Sequence, residues 1–252
     1  MYIQQIRNAT IKIKFAGTIF LIDPWFQDKG TGFSAKAIRQ EMMNVKCPMN
    51  ELPESAENTL KDVDYCLVSH LHFDHFSSDY LPKDVEIIAQ NKKDASAIIS
   101  MGFNNTKWFD AGSIVIGNVT IHKIKAIHGE NTTIVQKMGE ACGYVFEAPG
   151  EKTLYLAGDT VYCQNTKEAI TQYQPDVIIL NCCGATTPIG RLLMDLSDVE
   201  KVCNDAPNAI VIASHLDSVN HALITSDDVR KFKEVKHLSQ LFVPNNGETI
   251  KL

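Results

Sequence analysis

The hexapeptide HLHFDH at positions 70–75 restricts the possible folds of this chain more than any other segment. Only Ser69 separates it from a short apolar run at 65–68. Four of its side chains can bind a metal ion: His70, His72, Asp74 and His75. On a strand, side chains two positions apart point to the same face, whereas on a regular helix they do not. The pattern therefore predicts a strand that ends in a loop, with the first two imidazoles converging on one site.

These closely spaced ligands predict two adjacent metal ions rather than one. Chain neighbours cannot all reach a single ion, because metal–ligand bonds of about 2.0–2.2 Å leave too little room for the backbone to wrap around it. We assign His70 and His72 to one ion, and Asp74 and His75 to a second ion about 3.5–4 Å away, as in other two-metal hydrolytic sites. Imidazole and carboxylate ligands without thiolate favour Zn²⁺, with Mn²⁺ or iron as alternatives.

Further candidate ligands lie just past other predicted strands: His128, Asp159 and His215. Open α/β sheets place their ligand sites at the carboxyl ends of strands, so these residues are suitably positioned to complete the site. His221 is an alternative to His215 as the last ligand, or a catalytic group that contacts the substrate. Asp23, beside a proline, is either a turn residue or a carboxylate that orients a ligand imidazole. We expect His122 and His237 to face solvent.

Short apolar strands alternate with amphipathic helices through most of the chain. The predicted strands are 10–15, 18–22, 65–68, 86–89, 119–127, 143–147, 154–157, 177–180 and 209–213, and the predicted helices are 91–101, 197–204 and 226–236. We predict that residues 27–61 form a long loop of the kind that often covers a binding site, with a short helix at 35–43. Consecutive antiparallel strands within an otherwise alternating β/α pattern indicate an α/β fold with two mixed sheets and helices outside, in a single domain covering 1–252.

The composition disfavours several classes of partner. The 24 basic and 30 acidic residues leave a formal charge of -6, so no overall field attracts nucleic acid or anionic lipid. We find no secretory leader and no run of about 18 apolar residues, which a membrane span would need. Seven cysteines, an odd number without a CxxC pair, favour a reducing compartment, and most are predicted to be small apolar filler. We therefore expect a cytoplasmic protein with a small-molecule substrate. The sequence leaves open whether the protein forms a homo-oligomer.

These residues resemble the metallo-β-lactamase superfamily, whose first motif is HxHxDH. The resemblance implies a four-layer αβ/βα sandwich and assigns seven residues to two metal ions: His70, His72 and His128 to the first, Asp74, His75 and His215 to the second, and Asp159 as a bridge. Three shorter stretches are similar to the branch named after ascorbate-6-phosphate lactonase: LIDPW at 21–25, GDT at 158–160 and TPIG at 187–190.

The implied chemistry is hydrolysis of an ester, lactone or phosphodiester-type small molecule by a metal-bound hydroxide, with Asp74 orienting the hydroxide and His221 contacting the leaving group. A non-catalytic metal-binding or sensing module is the alternative from a different class. A nuclease-type member of the same fold is a further alternative, which the acidic balance disfavours. A di-iron oxygen or nitric-oxide reductase of the same fold is disfavoured, because such proteins usually carry Glu where this chain has His72.

Overall fold

The computed structural model describes residues 1–252, and most of its strands gather into two seven-stranded sheets. The first sheet contains the first six strands and the last: β1 (Tyr2–Arg7), β2 (Thr10–Phe15), β3 (Thr18–Ile22), β4 (Tyr65–Val68), β5 (Ile87–Ala89), β6 (Thr106–Trp108) and β16 (Thr249–Lys251). Their order is β16-β1-β2-β3-β4-β5-β6. Pairing is antiparallel from β16 to β3 and parallel from β3 to β6, so this sheet is mixed.

The second sheet is mixed in the same way. It contains β7 (Ser113–Ile116), β8 (Val119–Lys125), β9 (Cys142–Glu147), β10 (Leu154–Leu156), β11 (Val177–Asn181), β14 (Ile210–Ser214) and β15 (Leu241–Phe242). Its order is β15-β14-β11-β10-β9-β8-β7, parallel from β15 to β10 and antiparallel from β10 to β7. A separate hairpin pairs β12 (Thr186–Thr187) with β13 (Gly190–Arg191).

Six α-helices join these strands: α1 (Ala56–Leu60), α2 (Lys92–Ser100), α3 (Thr132–Met138), α4 (Gln164–Tyr173), α5 (Leu196–Asp205) and α6 (Ser226–Lys236). None of them combines the length and the apolar character that crossing a bilayer requires.

The alternation of apolar residues along the strands explains the layering. In β3, Phe20 and Ile22 enter the core between the two sheets, whereas Leu21 packs on the other face with Ile98 of α2. The rings of Phe20 and Phe146 meet across the two sheets, with centroids 5.2 Å apart. The outer face of the second sheet packs against α4, α5 and α6. The predicted four-layer sandwich of two mixed sheets with helices outside is therefore confirmed.

The element predictions were most accurate where the apolar pattern was strict. Strands β2, β3 and β4 and helix α6 have the predicted bounds. The predicted helix at 35–43 is wrong, because only a 3-10 turn at Gln40–Met42 forms there. The sequence did not predict helices α1, α3 and α4 or strands β1, β6, β12, β13, β15 and β16.

Candidate metal centre

Five strand ends bring polar side chains to one edge of the paired sheets. They are Asp23 after β3, His70 after β4, His128 after β8, Asp159 after β10 and His215 after β14, and all five are buried. Parallel strands point their carboxyl ends the same way, which is why residues from both sheets converge here.

Three of these strand ends turn sharply through left-handed backbone. Asp23 and His215 have φ values of 46° and 62°, which non-glycine residues seldom adopt, and such outliers often accompany functional sites. Gly158 has φ +67°, and a Cβ at this position would lie 2.3 Å from the carbonyl oxygen of Cys142. Only glycine therefore lets the chain pass this close to β9 before it presents Asp159.

A tight turn after β4 folds the HLHFDH segment back on itself. The backbone N–H groups of His75 and Phe76 both donate to the carbonyl of His72, at 3.0 and 3.1 Å. This turn brings the His75 ring next to that of His70, with centroids 4.1 Å apart. The motif thus supplies ligands to two neighbouring positions.

The first group of candidate ligands is His70, His72 and His128, whose inner ring nitrogens converge. His72 Nδ1 lies 2.9 Å from His70 Nε2 and 3.3 Å from His128 Nε2. Burial lowers the pKa of His128 to about 4 and that of His70 well below its ordinary value, and the neighbouring imidazoles add to the effect. Both rings are therefore neutral at neutral pH, the form in which imidazole binds a metal.

The outer ring nitrogens of this group each face an oxygen that can accept their proton: Ser69 Oγ for His70 (3.0 Å), the Met138 carbonyl for His72 (3.0 Å) and the Leu192 carbonyl for His128 (3.1 Å). Donation to these oxygens leaves a lone pair on each inner nitrogen. Three facing lone pairs repel one another unless a cation lies between them, so this donor set fits a divalent ion held by three imidazoles.

The second group is Asp74, His75 and His215. His215 Nε2 lies 3.2 Å from both Asp74 Oδ2 and His75 Nε2. The outer nitrogen of His75 contacts Asp23 Oδ2 at 2.8 Å, and that of His215 contacts the Cys183 thiol at 3.4 Å. These two imidazoles and one carboxylate form a donor set that suits a second divalent ion.

Asp159 lies between the two groups and contacts both. Its Oδ2 is 3.1 Å from His75 Nε2 and 3.4 Å from His128 Nε2. Asn181, at the end of β11, donates from Nδ2 to the other carboxylate oxygen at 2.7 Å. A carboxylate with this placement can bridge two ions.

The charges around His75 favour a cation at this point. Burial lowers the pKa of His75, but the carboxylates of Asp159, Asp23 and Asp74 outweigh it and raise the pKa to about 10. Burial raises the pKa values of Asp74 and Asp159, but His75 and His215 together hold both well below the ordinary range. The cluster therefore stabilises ionised carboxylates and one or more positive charges in their midst.

A cavity of about 160 Å³ opens beside the cluster. Much of its lining is apolar, including Phe33, Phe73 and Leu192, and it includes neither lysine nor arginine. His221 also lines it; this side chain is only 9% exposed, and its buried Nδ1 has no hydrogen-bond partner in the protein. Burial lowers the pKa of His221, which keeps the ring neutral at neutral pH.

The sequence matches a known family: the model of the β-lactamase superfamily domain matches residues 18–216. The chain belongs to the β-lactamase superfamily. Within the superfamily it belongs to the UPF0173 family: the UPF0173 protein YddR of Bacillus subtilis is 37% identical over 257 residues, which cover 99% of each chain.

Two solved structures resemble the whole chain closely. One is a possible metal-dependent hydrolase from Veillonella parvula, with a TM-score of 0.94 and 33% identity over 100% of this chain and 99% of that one. The other is an isothiocyanate hydrolase from Delia radicum gut bacteria, with a TM-score of 0.94, 32% identity and the same coverage. The predicted superfamily and the predicted class, a metal-dependent hydrolase, are confirmed; the resemblance to the lactonase-like branch stays a prediction.

The structure brings all seven predicted metal ligands together, while His221 belongs to neither of the two groups. Asp23 does more than close a turn, because it accepts hydrogen bonds from the Ser69 backbone and hydroxyl and contacts His75 Nδ1. His122 is partly exposed and pairs with Glu147 at 2.8 Å, away from the cluster.

Sequence reasoning missed two asparagines at the centre. Asn181 holds the candidate bridging carboxylate, as described above. Asn8, in the turn between β1 and β2, places Nδ2 3.0 Å from the Asp74 carbonyl and 3.2 Å from His215 Nε2. An Asn at a strand end was the available signal for Asn181, whereas nothing in the local sequence marked Asn8.

Proposed function

We propose that the cluster holds two divalent metal ions and that the protein uses them to hydrolyse a small, uncharged molecule with an electrophilic carbon, in the first instance an isothiocyanate. One observation carries this proposal. Imidazole lone pairs and buried carboxylates converge beside a small, largely apolar cavity. The first feature supports metal chemistry, and the second supports a neutral, apolar substrate.

The proposed ligand assignment is as follows: His70, His72 and His128 for one ion, Asp74, His75 and His215 for the other, and Asp159 for both. His215 rather than His221 is the last ligand, because only His215 lies within 3.2 Å of other members. Zn²⁺ is the favoured metal for these donors, with Mn²⁺ or iron as alternatives. Bound ions would lower the pKa of water toward neutrality and polarise the substrate under attack.

The cavity lining supports neutral substrates over phosphodiesters. Phosphate groups are usually recognised by arginine or lysine, and neither lines this cavity. Esters, lactones and isothiocyanates are uncharged and can bury an apolar group against Phe33 and Phe73. The similarity to an isothiocyanate hydrolase over the whole chain supports an isothiocyanate as the first substrate to test.

The proposed reaction consumes one water. Its oxygen bonds to the isothiocyanate carbon and its protons go to the substrate, giving a thiocarbamic acid, R–NH–C(=O)–SH. Cleavage of the C–N bond, with transfer of the S–H proton to nitrogen, then releases the amine R–NH₂ and carbonyl sulfide. The Asp74 carboxylate, on the cavity wall, orients the attacking water and takes its proton. The neutral His221 ring relays a proton to the departing nitrogen.

The test is hydrolysis of 2-phenylethyl isothiocyanate by the purified protein, followed as amine release, beside p-nitrophenyl acetate, a lactone and bis-p-nitrophenyl phosphate. We expect activity on the isothiocyanate that a chelator removes and Zn²⁺ or Mn²⁺ restores. His70→Ala should be inactive, and His122→Ala, which alters a histidine outside the cluster, should stay active. Full metal occupancy without hydrolysis of any substrate would refute the proposal and support a metal-binding or sensing module.

A further inference from the structure

One wall of the cavity comes from a segment with little secondary structure of its own. The chain between β3 and β4 contains only the 3-10 turn at Gln40–Met42 and the short helix α1. Phe33 and Ala35, in the irregular part of this segment, nevertheless line the cavity. The position of this wall must therefore depend on contacts with the rest of the protein.

Asn220 supplies the densest set of those contacts. Its side chain is 1% exposed and accepts from the backbone N–H of Ala35 at 3.1 Å. Its Nδ2 donates to the carbonyls of Ala35 and Met42, at 2.8 and 2.9 Å, and lies 3.2 Å from Ser34 Oγ. The Cys47 thiol also donates to its Oδ1, at 3.4 Å. A carboxamide has two donor hydrogens and one acceptor oxygen. Nearly all the hydrogen bonds that the Asn220 side chain can make therefore go to the segment between β3 and β4.

Asn220 is also adjacent in sequence to a residue that lines the cavity. This next residue, His221, has its ring centroid 6.5 Å from that of Phe33. The Phe33 ring also lies 6.0 Å from that of Phe73. In the sequence, Phe73 stands between the candidate ligands His72 and Asp74. Phe33, Phe73 and His221 therefore all line the space beside the cluster.

We propose that Asn220 is a positioning residue that holds the Phe33–Ala35 wall in place and thereby sets the preference for substrates with a large apolar group. This inference rests on the proposed hydrolase function. A substrate with a phenylethyl group gains binding from contact with the wall, whereas a methyl group offers the wall little surface. Loss of the Asn220 amide frees the wall, so affinity falls for the large substrate and hardly changes for the small one.

The experiment compares Asn220→Ala with Ser218→Ala, a matched removal of a buried polar side chain. Ser218 lies two residues before Asn220 and contacts the Asn50 side chain and the Leu216 carbonyl rather than the Phe33–Ala35 wall. In Asn220→Ala, kcat/KM for 2-phenylethyl isothiocyanate should fall at least about 10-fold, mainly through KM, with less than about 3-fold change for methyl isothiocyanate. Ser218→Ala should leave the ratio of the two substrates unchanged. Equal losses on both substrates in Asn220→Ala would overturn the proposal.

Two further measurements keep the inference separable from protein stability and from the proposed function. Phe33→Ala removes the wall itself and should reproduce the change in substrate ratio; an unchanged ratio would overturn the proposal even if Asn220→Ala does not fold. Hydrogen exchange at residues 33–47 should quicken in Asn220→Ala and not in Ser218→Ala. If the wild type hydrolyses neither isothiocyanate, the proposed function is wrong, and unchanged exchange would then also exclude the positioning role.

Discussion

The substitution Asp23→Asn tests how the residues behind the ligands prepare the metal site. Asp23 Oδ1 accepts from the Ser69 backbone N–H at 2.7 Å, while Oδ2 lies 2.7 Å from Ser69 Oγ and 2.8 Å from His75 Nδ1. Asparagine keeps the shape and retains the oxygen that the Ser69 N–H requires. Its amide NH₂ must then occupy the Oδ2 position and face His75 Nδ1.

A donor at that position reverses the tautomer of His75. When the wild type binds a metal, His75 is neutral: Nδ1–H donates to Asp23, which turns the Nε2 lone pair toward Asp159, Asp74 and His215. In the variant, Nδ1 must accept, so the proton moves to Nε2 and blocks metal binding. Loss of such a partner typically costs 10- to 100-fold in metal affinity, or about 1.4–2.7 kcal/mol.

The assay is a competition titration with a chromophoric chelator, together with metal content after dialysis. Circular dichroism of the metal-free variant should stay native, because the bond from the Ser69 N–H survives and the Ser69 hydroxyl can accept from the new NH₂ group. Asp176→Asn, the same change at an exposed carboxylate that accepts from the Thr153 N–H, is the control and should keep wild-type affinity. An Asp23→Asn affinity within about twofold of the wild type would refute the tautomer argument.

Three further predictions concern a candidate ligand, a glycine at a strand end and the cap of a helix. His70→Ala should abolish turnover while circular dichroism stays native, and full activity in this variant would exclude the ligand assignment. Gly158→Ala should lower the free energy of unfolding by about 2–4 kcal/mol, because its Cβ would collide with the Cys142 carbonyl at a left-handed φ; a denaturant titration showing almost no loss would contradict this. Thr225→Ala should cost about 1 kcal/mol by removing the cap of α6. Hydrogen bonds that Thr225 donates to the Asp228 carboxylate lower the pKa of Asp228. The stability that these bonds contribute is therefore present above the ordinary Asp pKa of about 3.9 and is lost as pH falls through the lowered value. Denaturation at pH 7 and at pH 3 should show a smaller difference in stability between wild type and variant in acid.

The candidate metal ligands could be predicted because their signals are local. HLHFDH follows an apolar strand, and Asp159 and His215 each follow another, so residue type and strand-end position made them candidates, and the family resemblance grouped them around two ions. Strands β2, β3 and β4 were exact for a similar reason, since their apolar residues alternate or run without interruption. Strand β1 was missed because the pair Gln4 and Gln5 interrupts that pattern.

The residues that support the site could not be predicted in the same way. Asn8 contacts His215 across 207 positions, and Asn220 contacts Ala35 across 185. An asparagine in a turn is ordinary in any sequence, and nothing local distinguishes one that reaches a distant segment. The absent helix at 35–43 has the same origin, because the Asn220 amide satisfies the backbone groups of Ala35 and Met42 instead of a helical ladder.

The chemistry available to this protein is set within short segments of the chain, which contain the ligand types, their spacing and their strand-end positions. The choice of His215 over His221, the orientation of His75 by Asp23 and the shaping of the cavity by Asn220 depend instead on the tertiary fold. The two kinds of interaction differ in range. Strand periodicity and ligand spacing act over a few residues, whereas hydrogen bonds between loops depend on how two whole sheets pack.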